Sequence, residues 1–315
     1  MLEQRRAHDL SFCPAGWPTH VAHPFSHVPV QAQFLAHAKI NLGLHVLAKR
    51  EDGFHEIDTI MVKIGWADRL LITPSTTFGF TADDPKLPTD EGNLCVQAAL
   101  AMAKAACRPL DVHIHLEKRV PYGAGLGSGS SDAATVLAVL NARWGDPLTP
   151  GDLAAIAAGL GSDVPFFLGG SVAQALGRGE RLVPQPHRGP SHAVVVVPPI
   201  HVPTGKAYGW TVPCARPSGT LLAQYHEAAR WRETMVNDFQ APVVQRFPVI
   251  EEVLNLLESH QAMFSALSGS GSAVFGLFPN RADVVRVSES IRTSKTGASC
   301  RIWAGPIGEA LTHPG

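Results

Sequence analysis

From Gly123 to Gly129 every second residue is glycine, in the run Pro121-Tyr-Gly-Ala-Gly-Leu-Gly-Ser-Gly-Ser-Ser-Asp-Ala-Ala134. Glycine belongs where the backbone turns sharply or passes close to another group. A strand-like stretch, Asp111–Glu117, precedes the run, and an apolar helical one, Ala133 to Leu140, follows it. A loop of this kind exposes backbone N–H groups, and the helix behind it adds its positive end. Together they make a site for phosphate.

Two commoner phosphate loops are excluded. No G-x-x-x-x-G-K-[ST] string occurs, so this is not a Walker A loop. The dinucleotide fingerprint G-x-G-x-x-G fails at Ser128 when counted from Gly123, and at Ser130 when counted from Gly125. A flexible Gly-Ser linker also fits poorly, because the run is held between a strand and a helix start.

Composition narrows the class. The 315 residues are enough for two domains or one large one, and 45% are hydrophobic, which allows a full core. Charged residues are 17% and the net charge is −1, without the basic excess of a general nucleic-acid binder. The five cysteines are scattered and never in C-x-x-C spacing, as for reduced thiols in a cytoplasmic protein. Among the fifteen histidines no H-E-x-x-H occurs; His113 and His115 read as a polar strand face. No apolar run reaches membrane-spanning length, so no membrane partner is expected. Residues 1–33 lack the apolar core of a signal peptide. They read as a poorly packed extension, or as the product of an upstream start codon that is not the one used.

Leu35–Leu47 alternates, with Ala36, Ala38, Ile40, Leu42, Leu44 and Val46 on one face, and predicts a strand. Lys39 and Asn41 fall on the opposite face, either solvated or aimed at a ligand. A turn follows at Arg50–Gly53, then strands at Ile57–Ile64 and Arg69–Thr73. Asn93 is placed to cap a helix to about Ala106, and the helix after the glycine run reaches about Trp144. Thr149, Pro150 and Asp152 suit N-cap, N1 and N3 of another helix, ending near 159–161. In the second half, helices are expected around 218–231, 249–259 and 281–292. Strands are expected at Ala193–Val197, Phe264–Leu267, Ala273–Phe278 and 299–304. A second small-residue loop, Ser268-Gly-Ser-Gly-Ser272, sits between two of these. Strands and helices mix without regular βαβ alternation, so the class is α+β. The divisions are an N-terminal extension (1–34), a first domain (35–184) and a second (185–315).

Asp163 is the one charge between Leu153 and Gly177. It reads either as a helix N-cap or as a general base near the phosphate loop.

Ala38-Lys-Ile-Asn-Leu42, Pro121–Ala134 and Leu267-Ser-Gly-Ser-Gly-Ser-Ala-Val274 together resemble the three motifs of the GHMP kinases, in order and over residues 35–304. Arg50-Glu-Asp-Gly-Phe-His55 and Leu160-Gly-Ser-Asp-Val-Pro-Phe166 are similar to one branch of that family. Its members phosphorylate the C2 hydroxyl of a cytidine-diphosphate methylerythritol in non-mevalonate isoprenoid biosynthesis. The Arg-x-Asp-Gly-aromatic-His string is the discriminating piece, since it lies in that branch's cytidine-binding region.

The resemblance implies a two-domain fold: an N-terminal ribosomal-protein-like α/β domain that binds ATP, and a C-terminal ferredoxin-like α+β domain. It implies ATP as co-substrate with Mg²⁺. Asp163 would accept the hydroxyl proton, and Lys39 would hold Asp163 ionised. The backbone of Pro121, Tyr122, Gly123, Ala124, Gly125, Leu126, Gly127, Ser128, Gly129, Ser130 and Ser131 would wrap the ATP phosphates. Asn41 would contact the sugar alcohol or diphosphate, and His55 the cytosine. Phe54 and Tyr208 would stack near the base, with Thr204 in the same pocket. Gly269, Ser270 and Gly271 would close over the diphosphate. Asp132 is read either as a Mg²⁺ ligand or as a helix cap. The partner is a small molecule, not nucleic acid or membrane, and the chain a monomer or homodimer in the cytoplasm. The alternatives are a mevalonate or homoserine kinase, or a non-enzymatic nucleotide- or RNA-binding protein; Phe54-His55 and the placement of Asp163 weigh against the former.

Overall fold

The computed structural model describes residues 32–308. The extension expected over 1–34 lies outside them except at its end, where the first strand begins at Ala32 rather than Leu35.

β1 (Ala32–Lys49) and β2 (His55–Pro74) form a long antiparallel hairpin. The turn between them is the expected Arg50–Gly53, with Gly53 at φ +84° and Arg50 N–H donating to Phe54 O at 2.8 Å. β2 is one strand of 20 residues, not two. Its buried positions alternate unbroken through Ile64, Trp66, Asp68, Leu70 and Ile72. An acid at a buried alternate position reads locally as a break. Here Asp68 is compensated by Lys118, which only the fold brings to it.

β2 is the spine of the first sheet. β1 lies along one side; on the other, β4 (Val112–Glu117) pairs with residues 69–74 and β5 (Val172–Gly177) with 57–62. β3 (Gly79–Ala82) runs parallel to β4, and β6 (Arg181–Pro184) edges β5. α1 (Leu94–Ala106), α2 (Ser128–Arg143), α3 (Pro150–Leu160) and α4 (Val164–Leu168) bury Val96, Met102, Leu137, Leu140 and Val164 against Leu70, Ile72, Ile114 and Leu116. Asn93 caps α1, and Thr149 with Asp152 makes a reciprocal capping box at α3, as their spacing requires.

The second sheet holds β7 (His192–Val197), β8 (Phe264–Leu267), β9 (Val274–Phe278) and β10 (Arg301–Pro306) in the order β10-β7-β9-β8, all antiparallel. Between β7 and β8 run α5 (Thr204–Trp210), α6 (Thr220–His226), α7 (Trp231–Thr234), α8 (Gln240–Arg246) and α9 (Pro248–Ser259); α10 (Arg281–Thr293) joins β9 to β10. Taken as β7-α9-β8-β9-α10-β10, this is the βαββαβ ferredoxin-like pattern. The single helix expected at 218–231 is broken, because Trp231 turns in to stack on Tyr225 at 5.6 Å and donates to its carbonyl. α9 and α10 cover one face of the sheet through Leu254, Leu257, Val284, Val287 and Ile291. From the other face Val195, Phe275 and Leu277 share a core with Ala38, Ile40, Leu42, Val62 and Ile64 of the hairpin. The architecture is α+β, as the element pattern implied.

Cys95, Cys214 and Cys300 carry free thiols.

Candidate active site

The glycine run forms a sharply turning loop ahead of α2. Gly123, Gly125 and Gly127 all have positive φ, at +67°, +80° and +67°, and the residues between do not. Alternating hands turn successive N–H groups toward one concavity. α2 opens directly behind, and its N-cap, Gly127, offers no side chain to the first helical N–H groups, which stay free for an anion. The buried Ser128 hydroxyl has no hydrogen-bond partner. A buried polar atom left unpaired is costly, and a phosphate or its counter-ion at this helix start would satisfy it.

Asp132 does not cap α2. Its carboxylate is buried and ion-paired with Lys118 at 2.7 Å, and Lys118 also binds Asp68. Burial raises the Asp132 carboxyl to about 7, opposed by Lys118 and reinforced by Asp68. Among the described residues no cluster of three or more His, Cys, Asp or Glu side chains suits a metal ion.

The second loop rests on the first. Gly269 and Gly271 have φ of +55° and +89°. A Cβ on Gly125 would lie 2.0 Å from Ser268 O, so the two backbones touch where that side chain is missing. Ser268 Oγ donates to Gly125 O at 2.9 Å, and Ala273 N–H donates to Ala124 O at 2.9 Å. From behind, the Asn237 amide donates to Leu267 O and Gly269 O at 2.7 and 2.8 Å.

Lys39 and Asn41 are buried, which removes the solvated alternative for both. Bulges on either side, at His37/Lys39 and Asn41/Gly43, re-aim this part of β1. Lys39 Nζ donates to Asn41 Oδ1 at 2.6 Å and to Gly125 O at 2.9 Å, and lies 3.5 Å from Asp163 Oδ2. Asn41 Nδ2 in turn donates to Thr59 Oγ1, whose hydroxyl is committed to Gly43 O. That chain fixes the amide so that its oxygen faces the lysine. Asp163 occupies the N-cap position of α4 but makes no side-chain cap bond. Its carboxylate is left for Lys39 and for whatever enters the cleft.

The cleft has a volume of about 470 Å³. It brings together Lys39, Asn41, Phe54, His55, Gly125, Gly127, Asp163, Thr204, Tyr208, Gly269 and Ser270. His55 and Tyr208 stack at 4.5 Å with planes 18° apart, and Phe239 meets Tyr208 edge-on at 4.8 Å. The Thr204 and Ser270 hydroxyls lie 3.1 Å apart, linking this aromatic wall to the second loop. Burial lowers the His55 pKa, with Lys49 adding to the effect. Burial and the nearby charge of Asp163 push Tyr208 up to about 12.

Gly271 turns against Leu267 rather than lining the cleft, and Pro121–Ala124 lie beyond it, with Tyr122 half exposed. Arg178, Phe239 and Ser162 line the cleft but were not legible from sequence. Arg178 stacks its guanidinium 4.8 Å from the Phe54 ring. Its one local signal is the Gly-Arg-Gly turn, with Gly177 and Gly179 both at positive φ.

Two glycine loops in contact, with a lysine and an acid beside them in one cleft, are the arrangement of a small-molecule kinase. Residues 93–171 match the family model described as GHMP kinases N terminal domain, and residues 221–295 match GHMP kinases C terminal. The chain is 43% identical over 265 residues to the 4-diphosphocytidyl-2-C-methyl-D-erythritol kinase of Salinibacter ruber, covering 82% of this chain and 93% of that one. It is 42% identical to the kinase of the same name from Chlorobium luteolum, again over 82% and 93% of the two chains. A crystal structure of 4-(cytidine 5'-diphospho)-2C-methyl-D-erythritol kinase superposes with a TM-score of 0.74 at 39% identity, covering 88% of this chain and 99% of the other. Homoserine kinase from Cytophaga hutchinsonii shares the fold alone, with a TM-score of 0.70 at 18% identity over 90% and 96% of the chains. The chain belongs to the 4-diphosphocytidyl-2-C-methyl-D-erythritol kinase family of the GHMP kinases.

Proposed function

We propose that this chain transfers the γ-phosphoryl group of ATP to the C2 hydroxyl of 4-diphosphocytidyl-2-C-methyl-D-erythritol in non-mevalonate isoprenoid biosynthesis. The observation that carries the reading is one cleft in which the Lys39–Asp163 pair, 3.5 Å apart, separates the glycine loop from the His55–Tyr208 stack. The loop suits the donor's phosphates and the stack suits the acceptor's base.

Phosphoryl transfer needs positioning and charge neutralisation more than covalent chemistry. The acceptor is a tertiary alcohol and a very weak acid. Asp163 takes its proton as the oxygen bonds to the γ-phosphorus and the bond to the β–γ bridging oxygen breaks, releasing ADP, a contribution of about 10²–10⁴-fold. Lys39, 3.5 Å from that carboxylate, supplies positive charge beside the attacking oxygen. Its own position is fixed by Asn41 and Gly125 O. Backbone N–H groups of 125–131 hold the ATP phosphates, and Asn41 meets the sugar alcohol or the diphosphate. Gly269 and Ser270 cover the acceptor's diphosphate. Phe54, His55 and Tyr208 hold the cytosine by stacking and edge hydrogen bonds, with Thr204 beside them. The unpartnered Ser128 hydroxyl is the side chain that fits a Mg²⁺ carried on the phosphates. Such an ion neutralises charge on the transferring group. The ATP-binding domain spans 35–184 and the second domain 185–315. No helix among the described residues is long and apolar enough to cross a membrane, and we place the enzyme in the cytoplasm as a monomer or homodimer.

The test is a substrate panel. Purified protein with ATP-Mg²⁺ is offered the cytidylyl acceptor, mevalonate or homoserine, and ADP is measured. Release with the first alone is expected; none with the first refutes the assignment. Asp163→Ala should lose about 10²–10⁴-fold in kcat while keeping its fold, and a near-normal kcat removes Asp163 as the base.

A further inference from the structure

We propose that Lys63 is a positioning residue for Asp163, holding the far end of the short helix that carries it. Lys63 is the register partner of Lys39 across β1 and β2. Lys39 reaches Asp163, at the start of α4. Lys63 Nζ donates to Phe167 O at 3.1 Å and to Gly169 O at 2.8 Å, at the end of the same helix. Two lysines paired on neighbouring strands thus grip the two ends of α4, and Lys63 N–H also donates to Ser171 O at 2.8 Å just beyond it.

α4 has five residues and cannot hold itself; its stability comes from what it is tied to. A helix leaves its last carbonyls without partners, and a cation there satisfies them and opposes the negative end of the dipole. Lys63 does this without an anionic partner: among the described residues no carboxylate pairs with it, and burial draws its pKa from 10.5 down to about 8. The charged and titratable groups facing it from β1 are Lys39 and His37, whose pKa burial lowers, with Lys63 adding to the effect. α4 and β5 bring none. An apolar side chain would be cheaper to bury, so the ammonium is explained by the carbonyls it holds. The consequence extends to the donor side. A Cβ on Gly127 would sit 3.0 Å from Phe167 Cζ, so the ring of α4 rests on the phosphate loop. Letting α4 drift displaces Asp163 and loosens the loop's support together.

This inference rests on Asp163 being the base. Its test compares Lys63→Met with Lys63→Arg in the full chain. In Lys63→Met, kcat should fall about 10–10²-fold, as for a small misplacement of a reacting group, with both KM values within about twofold of wild type. Unfolding should stay cooperative, and hydrogen exchange at 164–169 should quicken. Wild-type kcat should fall above about pH 8, and Lys63→Arg should restore kcat and lessen that fall, because arginine does not titrate there. A wild-type kcat in Lys63→Met overturns the proposal. So does a loss that comes with melting of the whole fold, or one that Lys63→Arg fails to rescue. If wild type transfers no phosphoryl group, the function itself is refuted. A normal Asp163→Ala refutes the base. In both of those cases the exchange rates at 164–169 still report whether Lys63 holds the helix.

Discussion

Gly125 is where the two glycine loops meet, and replacing it by alanine should force them apart. At φ +80° an alanine carries a left-handed cost of about 1–2 kcal/mol. Its Cβ would lie 2.0 Å from Ser268 O and 3.2 Å from Gly271 N. Both are backbone atoms, so no rotamer relieves the overlap. Separation breaks the bonds that Ser268 Oγ and Lys39 Nζ make to Gly125 O, each 2.9 Å. The neutral one is worth about 1 kcal/mol and the charged one about 1.5–3. Water recovers part of this, which leaves a loss of about 3–5 kcal/mol, a large share of a typical stability of about 5–15. Gly123→Ala is the control. It has a similar φ of +67°, but its Cβ would meet only the His201 ring, at 3.2 Å, and a side chain can move. It should lose only the left-handed cost of about 1–2 kcal/mol. Urea unfolding of both variants gives the difference, and turnover gives the effect of freeing Lys39. Equal losses in the two variants would refute the claim that the loops are in backbone contact.

Lys118→Met leaves Asp68 and Asp132 buried together without their cation, and should cost about 3–5 kcal/mol in urea unfolding; a loss under about 1 kcal/mol would mean the pair is not sealed from water. Burial, with Arg216 beside it, pulls His45 from 6.5 to about 4. The unfolded chain therefore binds the extra proton first, and stability should fall as pH drops from about 6.5 to about 4. The slope of Tm against pH in that window should flatten in His45→Gln, and identical slopes would remove His45 as its source. Tyr208→Ala should raise KM for the cytidylyl acceptor by about 5–100-fold, the worth of one base stack, whereas Tyr208→Phe keeps the ring and the KM. An unchanged KM in the alanine variant would take the base elsewhere.

Features that depend on one residue's own conformational needs were legible from sequence. The alternating glycines announced a sharply turning loop, Thr149 and Asp152 announced their capping box, and the period of β1 announced a strand. The spacing that marked Asp163 as unusual could not say whether it caps a helix or faces a ligand. β2 was misread as two strands at Asp68, because the chain shows the acid there and not the lysine 50 positions away that neutralises it.

The chain alone therefore determined that a sharply turning glycine loop stands between a strand and a helix, that its class is α+β, and which few polar residues stand out among apolar neighbours. Only the tertiary structure decided what those residues face. The Lys39–Asp163 pair, the Ser268 carbonyl in the space left by Gly125, the clamp of Lys63 on α4 and the stack of Arg178 on Phe54 all join segments distant in sequence. The reason is physical. A backbone angle or a cap is set by energies within a few residues, which residue type encodes directly. A contact between distant segments is set by strand register and by bulges, such as the two that flank Lys39, and no local pattern carries either.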